Sequence, residues 1–261
     1  MSEEIKSVAV LEKSIQTLEF LALHQESSSL KDIAQGVSLN KSTVYRILQT
    51  YRKYGYITQN PKTGNYQLGS RILIFAPFIS NFDFISFMMP YMQSFSEETG
   101  LSISLALLEG KTSLTIENYI PTTDSSIRLC AMKGFCADLH SSASGKVFLS
   151  WMSKKELESY LKSTTLTANT AHTITDINAL KEDLVISKHR GYSIENMENE
   201  ENIISIAAPI IDTNGNVTAA LATMTIAQLT SEDEIKKIGE KLYQTAMKVS
   251  NSFPPISFED K

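Results

Sequence analysis

One short stretch of the chain carries cationic, hydroxyl and amide side chains at helical spacing, with no carboxylate among them. Val44, Ile47, Leu48 and Tyr51 repeat at three- and four-residue steps, which predicts a helix with one buried stripe. The opposite face of that helix carries Ser42, Tyr45, Arg46, Gln49 and Lys53. Guanidinium and amide groups bind base edges in the major groove, and cations pair with phosphates. The pattern predicts a surface that binds duplex nucleic acid.

Residues at the start of the helix, and in a turn beyond it, extend this predicted surface. Lys41, Ser42 and Thr43 follow a candidate N-cap, Asn40, where free backbone amides favour a phosphate. Farther along, Lys62 lies in a turn between two β-like segments, at the tip of a predicted hairpin. The predicted contacts to nucleic acid are Lys41, Ser42, Thr43, Tyr45, Arg46, Gln49, Lys53 and Lys62.

The charge distribution supports the same interpretation. The segment from Ile33 to Phe82 has no Asp or Glu, although the whole chain has a formal net charge of -5. Its cations are Lys41, Arg46, Arg52, Lys53, Lys62 and Arg71. An acid-free basic segment on an acidic protein favours a local site for a polyanion. The alternative is an ordinary solvated face, or a module that binds protein rather than nucleic acid.

The elements around these residues predict a winged helix-turn-helix domain over residues 5–69. A first helix follows the apolar repeat from Ser7 to His24, and Ser29 caps a second, short helix. After the third helix, Gly55 precedes two β-like segments, 56–59 and 65–68, joined by the turn residues 60–64. The order helix, helix, turn, helix and hairpin defines the domain class.

Length and composition exclude several other classes. With 261 residues, of which 42% are hydrophobic, the chain can form one large domain or two smaller ones. Two cysteines, Cys130 and Cys136, form no disulfide framework and suit a reducing cytoplasm, although a single bridge between them stays open. The acidic N-terminus is not typical of a signal peptide. The apolar stretch from Ile72 to Met92 contains Asn81, Asp83 and two prolines, so we expect no membrane span.

The rest of the chain predicts a mixed α/β domain with a mainly antiparallel sheet. A linker helix is expected over 70–84, followed by a domain over 85–253 and a flexible tail over 254–261. Strands are predicted at 102–108, 114–119, 126–131, 192–195, 205–211 and 217–226. Helices are predicted from about Ser144, over 154–161 and 177–190, and from about Ser231 to Asn251.

Several motifs resemble the IclR family of bacterial transcriptional regulators. In the N-terminal half they are the runs Leu39–Leu48 and Gly64–Gly69, with Gly55-Tyr56 between them. In the C-terminal half they are His140–Lys146, Thr173–Asp176, Arg190–Tyr192 and Ala207–Ile210. Two residues depart from the family pattern: Ser38 replaces the usual turn glycine and Asn40 replaces a frequent proline.

The resemblance implies a DNA-binding regulator with a GAF-like effector domain. It implies a homo-oligomer, dimer or tetramer, on a pseudo-palindromic operator, with the apolar linker helping to pair two chains. It also implies a small-molecule effector, an organic, aromatic or sugar acid, on the concave face of the sheet. The implied effector-binding residues are Leu129, Ala143, Ser144, Glu195, Ile203, Ser205, Ala222 and Met224. The alternative is that the apolar residues of this set simply pack in the hydrophobic core and do not contact a ligand.

Enzymatic and metal-binding interpretations find weaker support. Gly145-Lys146 lacks the earlier glycine and the following Ser or Thr of a phosphate-binding loop. Lys133 or Lys146 with a nearby serine would make a Ser/Lys nucleophile, but no spacing demands it. Cys130, Cys136 and His140 match no tight zinc pattern. We therefore expect no enzyme activity, no cofactor and no metal, and the rival is a ligand-sensing protein–protein interaction module that does not bind DNA.

Overall fold

The structure is a computed structural model that describes residues 8–24, 27–72, 75, 82–122, 129–212 and 214–252. The chain divides into two compact units, Met1–Phe84 and Ile85–Lys261. The predicted α+β two-domain architecture is confirmed.

Unit 1 contains three helices and a two-stranded hairpin. The helices are α1 (Ala9–Leu23), α2 (Leu30–Gly36) and α3 (Lys41–Lys53). The hairpin pairs β1 (Ile57–Gln59) with β2 (Tyr66–Leu68) in antiparallel register. The core of the unit draws buried side chains from α1, α2, α3 and both strands: Leu21, Ile33, Ala34, Val44, Leu48, Ile57 and Tyr66. The apolar stripe predicted for α3 is therefore what attaches this helix to the unit.

Local sequence signals set the helix boundaries of unit 1. The Ser29 hydroxyl accepts a hydrogen bond from the Asp32 amide and caps α2. The Asn40 side chain accepts one from the Thr43 amide, at 2.8 Å, and caps α3. Between the two helices Ser38 adopts φ 52°, a left-handed conformation that favours glycine. The departure from the family pattern at Ser38 thus falls where the backbone strains a side chain.

The predicted linker segment is described only in part. Residues 70–72 form a 3-10 turn rather than an α-helix, and residues 73–74 and 76–81 lie outside the described residues. The next helix, α4, covers Phe82–Thr99 and contains Pro90. The predicted tail over 254–261 also lies outside the described residues.

Unit 2 is built on a six-stranded antiparallel sheet with the strand order β5-β4-β3-β8-β7-β6. The strands are β3 (Ile103–Glu109), β4 (Thr112–Tyr119), β5 (Cys136–Asp138), β6 (Ser193–Asn196), β7 (Ile203–Ile211) and β8 (Val217–Ile226). The remaining helices are α5 (Ala143–Trp151), α6 (Lys154–Ser163), α7 (Ile177–Arg190) and α8 (Glu232–Ser252).

Helix α5 packs closely against the sheet. Val147 and Leu149 on α5 share a buried core with Ala207 of β7 and Ala220 of β8, joined by Leu180 and Leu184 of α7. A side chain at Gly145 would come within 2.4 Å of the Leu139 backbone, so only glycine permits the close approach at the start of α5. Helix α8 contacts β7 and β8.

One predicted strand is wrong over the part that the structure describes. We expected the third strand of the sheet over 126–131. Residues 126–128 lie outside the described residues, residues 129–131 are not in a strand, and the next strand, β5, begins at Cys136. The Phe135 carbonyl accepts from the Thr115 amide just before β5 pairs with β4, so the edge of the sheet forms later in the chain. In the described part of the chain, no helix combines the length and the apolar character needed to cross a bilayer.

Candidate nucleic-acid and ligand sites

The outward face of α3 is open in unit 1. Tyr45 is 47% exposed, Arg46 is exposed, and Gln49 is half-buried. The Arg46 guanidinium makes no hydrogen bond or ion pair with any residue that the structure describes. This face therefore presents a free guanidinium beside a phenol and an amide, the groups that bind base edges and phosphates.

The N-terminal end of α3 orders its own polar groups. The Ser42 hydroxyl donates to the Asn40 side chain at 2.8 Å, while Lys41 is exposed and Thr43 is half-buried. Because Asn40 already accepts from the Thr43 amide, the cap leaves the Lys41 and Ser42 amides for an external acceptor. An anion at this position meets the positive end of the helix.

The hairpin is tied to α3 by side-chain hydrogen bonds. The Arg52 guanidinium donates to the Gln59 side-chain oxygen at 2.5 Å, and the Gln59 amide donates to the Gly64 carbonyl at 2.8 Å. Lys62 is exposed at the tip of the turn, where its backbone amide donates to the Asn60 side chain. These hydrogen bonds link the backbone of the turn that carries Lys62 to the last turn of α3.

All the cations of the acid-free segment lie on the surface of unit 1. They are Lys41, Arg46, Arg52, Lys53, Lys62 and Arg71, and each is exposed. None of them forms an ion pair with a described residue. Lys53 and Arg71 lie over the rings of Tyr54 and Tyr56, which leaves their charges uncompensated. The positive charge is therefore available to an external polyanion.

A small cavity lies within unit 2 between the sheet and the start of α5. It has a volume of about 50 Å³. Its walls come from all six strands of the sheet, the loop before β5, the N-terminal end of α5 and the turn after β6. The lining residues are Ser104, Ala106, Ser113, Thr115, Ala131, Phe135, Ala137, Ser142, Ala143, Ser144, Glu195, Asn199, Ser205, Ala222 and Met224.

Glu195 supplies the one carboxyl group among these lining residues. It is 1% exposed, and one of its oxygens accepts hydrogen bonds from the backbone amides of Glu198 and Asn199. Burial raises the pKa of Glu195 above its ordinary value, and those amides only partly oppose the rise. A protonated carboxyl at the cavity wall can donate a hydrogen bond to an acceptor inside.

The start of α5 forms the opposite polar wall. Ser142 caps the helix by accepting from the Gly145 amide, and the Ser113 hydroxyl donates to Ser144 at 2.7 Å. Ala143 and Ser144 line the cavity in the first turn, where amides have no partner within the helix. The wall combines hydroxyl groups with the positive end of a helix.

The cavity contains most, but not all, of the residues predicted for an effector site. Ala143, Ser144, Glu195, Ser205, Ala222 and Met224 line it. Leu129 does not line it; residues 129–135 form a loop, and Ala131 and Phe135 are the members of that loop that reach the cavity. Ile203 shares the strand face of Ser205, but it pairs with Ile226 near the end of β8, one step beyond the cavity.

The sequence reasoning missed the wall formed by β3, β4 and β5. Ser104 and Ala106 alternate on β3, and Ser113 and Thr115 do so on β4. Small residues at alternate positions of two paired strands signal a face with open space, and this signal was present in the sequence. Asn199 and Phe135 lie in irregular segments and carry no such signal.

The residues of the enzymatic and metal alternatives have other partners. The Lys146 ammonium is ion-paired with Glu198 and Asp183, and Lys133 is ion-paired with Glu117. Both cysteines are free thiols, and burial raises the pKa of Cys130, which disfavours the thiolate. Across the described ranges, no three His, Cys, Asp or Glu side chains are grouped to hold a metal.

Two family models match the chain. The model described as IclR helix-turn-helix domain matches residues 10–61. The model described as bacterial transcriptional regulator IclR C-terminal matches residues 76–251. The first match contains α3, and the second contains every residue that lines the cavity.

Full-length relatives give the same result. The transcriptional regulator XynR of Escherichia coli K12 is 26% identical over 93% of this chain and 96% of its own length. The transcriptional repressor AllR of the same strain is 28% identical over 95% and 91%. The crystal structure of the Thermotoga maritima IclR superposes with a TM-score of 0.73 at 27% identity, covering 93% of this chain and 98% of that one.

Proposed function

The chain belongs to the IclR family of bacterial transcriptional regulators, and from this premise we propose which of its residues bind DNA and which bind an effector. Operator DNA contacts the exposed face and the N-terminal end of α3, together with Lys62 of the hairpin. A small molecule occupies the cavity of unit 2, and its binding changes operator affinity.

One observation carries the DNA-binding part of the proposal. The exposed cations of unit 1 have no acidic partner among the described residues. Arg46 and Gln49 have the chemistry to bind guanine and adenine edges, while Lys41, Lys53 and Lys62 suit phosphates. Ser42, Thr43 and Tyr45 complete the contact set. A partner protein would require acids of its own to neutralise this face, whereas duplex DNA supplies phosphates at regular spacing.

The salt dependence of binding tests this part. Full-length protein is titrated with the duplex upstream of its own gene and with an unrelated duplex of equal length, at several salt concentrations. We expect the affinity to fall with a log–log slope of about -0.9 for each neutralised phosphate. A slope near zero, or equal affinity for both duplexes, favours the rival function, a ligand sensor that binds protein.

The chemistry of the cavity supports an organic acid as the effector. Its walls offer hydroxyl groups, the first-turn amides of α5 and the Glu195 carboxyl, whose raised pKa favours the neutral, donating form. A ligand carboxylate accepts from the hydroxyl groups and the amides, and from Glu195 when that carboxyl is protonated. The present volume of about 50 Å³ holds water rather than an aromatic or sugar acid, since ligand pockets span roughly 300–1,000 Å³. Binding therefore has to open the cavity.

That requirement links the ligand to regulation. A ligand that opens the cavity favours one conformation of unit 2, and it shifts operator affinity only if DNA also favours one conformation. A coupling of about 1–3 kcal/mol would change operator affinity by roughly 5–150-fold. Dimeric or tetrameric assembly in the cytoplasm, with paired helix-turn-helix units on a pseudo-palindromic operator, belongs to the same proposal.

A thermal-shift screen of aliphatic, aromatic and sugar acids tests the effector part. A true ligand at 100 times its Kd should stabilise the protein by about 2.7 kcal/mol. The control variant Ala222→Leu, which fills the cavity, should lose that response while keeping operator affinity. An unchanged response in Ala222→Leu would assign the ligand to another site.

A further inference from the structure

A fully buried lysine lies close behind the cavity. Lys146 is 0% exposed, although lysine is among the residues least often buried. Its ammonium lies 2.5 Å from a Glu198 oxygen and 2.9 Å from an Asp183 oxygen. The three residues come from α5, from the turn after β6 and from α7, so one ammonium joins three elements.

The two carboxylates are not equivalent partners. The contact with Glu198 is a hydrogen bond as well as an ion pair, and the Glu198 side chain is almost fully buried. The Asp183 oxygen near the ammonium forms an ion pair with it but no hydrogen bond. The Asp183 side chain is about one-quarter exposed. Glu198 is therefore the main partner of Lys146, and Asp183 is a secondary one on the side of α7.

The turn that contains Glu198 also holds the carboxyl group of the cavity. The Glu198 and Asn199 amides donate to one oxygen of Glu195 and wrap the turn around that carboxyl. The turn needs a left-handed residue, Met197 at φ 59°, so its backbone is not in a relaxed state. Displacement of Glu198 would remove two amide donors from Glu195 at once.

Lys146 connects this turn with the opposite wall of the cavity. Ala143 and Ser144 line the cavity one turn before Lys146 on α5, while Glu195 and Asn199 line it from the turn. The contact of Lys146 with Glu198 is thus one link between the two walls, beside the Ser193 hydroxyl, which donates to the Ala143 carbonyl at 2.5 Å. A buried ion pair adds little net stability compared with apolar residues of the same shape. The contribution expected of this ion pair is therefore to fix the local geometry.

We propose that Lys146 is a positioning residue: by pairing with Glu198, its ammonium holds the Glu195–Asn199 turn against the start of α5 and so fixes the Glu195 carboxyl at the cavity wall. The relevance to sensing rests on the proposed function, in which this cavity takes the effector. The positioning itself does not depend on any ligand, so it can be tested separately.

Amide hydrogen exchange in the full-length protein tests the proposal without a ligand. The readout is the exchange rate at residues 198 and 199, compared with core amides of β7 and β8 in the same variant. In Glu198→Ala we expect those two amides to exchange about tenfold faster than in the wild type, because the turn opens locally. If Glu198 contributed only to overall stability, the exchange rates of the turn amides and the core amides would rise together.

Two matched variants complete the test. Glu198→Gln removes the same charge as Glu198→Ala but keeps a side-chain oxygen for the ammonium, so it should restore most of the exchange protection. It also keeps the proposal testable if the alanine variant fails to fold. Asp183→Ala removes the secondary carboxylate and should leave residues 198 and 199 protected. Equal effects in Asp183→Ala and Glu198→Ala, or none in Glu198→Ala, would overturn the proposal. Failure of the ligand screen with a positive exchange result would count against the effector function alone.

Discussion

The α3 face of unit 1 and the cavity of unit 2 use polar side chains in opposite ways. On α3, Arg46 and Tyr45 are exposed, and neither pairs with an acidic side chain among the described residues. In the cavity, Glu195 is almost completely buried and is satisfied by backbone amides. The difference fits the proposed partners: a duplex is read by an open surface, whereas a small molecule is bound by enclosing it.

The two arrangements have different consequences for folding. An exposed cation stays hydrated in the free protein, so it costs little folding free energy. It contributes to the free energy of binding when it pairs with a phosphate of the DNA. A buried charge loses its hydration during folding and needs a partner in the folded state. Substitutions on α3 should therefore change binding with little change in stability, while substitutions around the cavity should change stability as well.

The largest expected effect comes from Lys146→Met. This change leaves the Glu198 and Asp183 carboxylates without their cation, and we expect the free energy of unfolding of unit 2 to fall by about 3–5 kcal/mol. Trp151, the single tryptophan of the chain, lies on α5 and reports the unfolding of this unit in urea. The control Lys41→Met, an exposed lysine on α3, should stay within about 0.5 kcal/mol. Similar losses of unfolding free energy in both variants would contradict the expected difference between a buried lysine of unit 2 and an exposed lysine of unit 1.

Arg46→Ala should weaken operator binding by about 1–3 kcal/mol, because it removes the proposed contact to a base edge. Fluorescence anisotropy with operator and unrelated duplexes measures the loss, and thermal unfolding should be unchanged. The control Lys154→Ala removes one exposed cation from unit 2 and should leave binding unaltered. Equal losses on both duplexes would make Arg46 a phosphate contact.

The buried carboxyl predicts a pH dependence of stability. Burial raises the folded-state pKa of Glu195, so folded protein retains a proton that the unfolded chain releases above about pH 4.5. Relative to Glu195→Gln, the wild type should lose stability as the pH rises from 4.5 to the folded pKa, by about 1.4 kcal/mol for each unit between them. Below that window the difference should be constant. Urea unfolding of both proteins from pH 4 to 8 measures it, and a constant difference throughout would contradict the buried environment.

The smallest expected effect is a stabilisation of unit 1. Ser38 adopts φ 52°, so Ser38→Gly should relieve strain and raise the free energy of unfolding by up to about 1 kcal/mol. The same change inside α3, Ser42→Gly, should lower it by roughly half to one kcal/mol. Amide exchange of α2 and α3 measures both. Destabilisation by Ser38→Gly would show that the Ser38 side chain makes an essential contact.

Most elements of both units could be predicted from local signals. The period of α3 and the Asn40 cap predict its start, and Gly191 in a left-handed conformation ends α7 as expected. The strand predicted over 126–131 was wrong at residues 129–131, because an edge strand is short and has no strong pattern of its own. Its place was decided by pairing with β4, a contact between residues distant in the chain.

Sequence alone determined the charge, the apolar periodicity and the capping of α3, because each depends on residues within a few positions of one another. These features were enough to predict a cationic helix face with one buried stripe. The tertiary structure decided that Glu195, Ser113 and Ser144 share a cavity, and that Lys146 meets Glu198 across more than fifty residues. Burial and pairing of this kind arise only when distant segments pack together, so no local pattern encodes them.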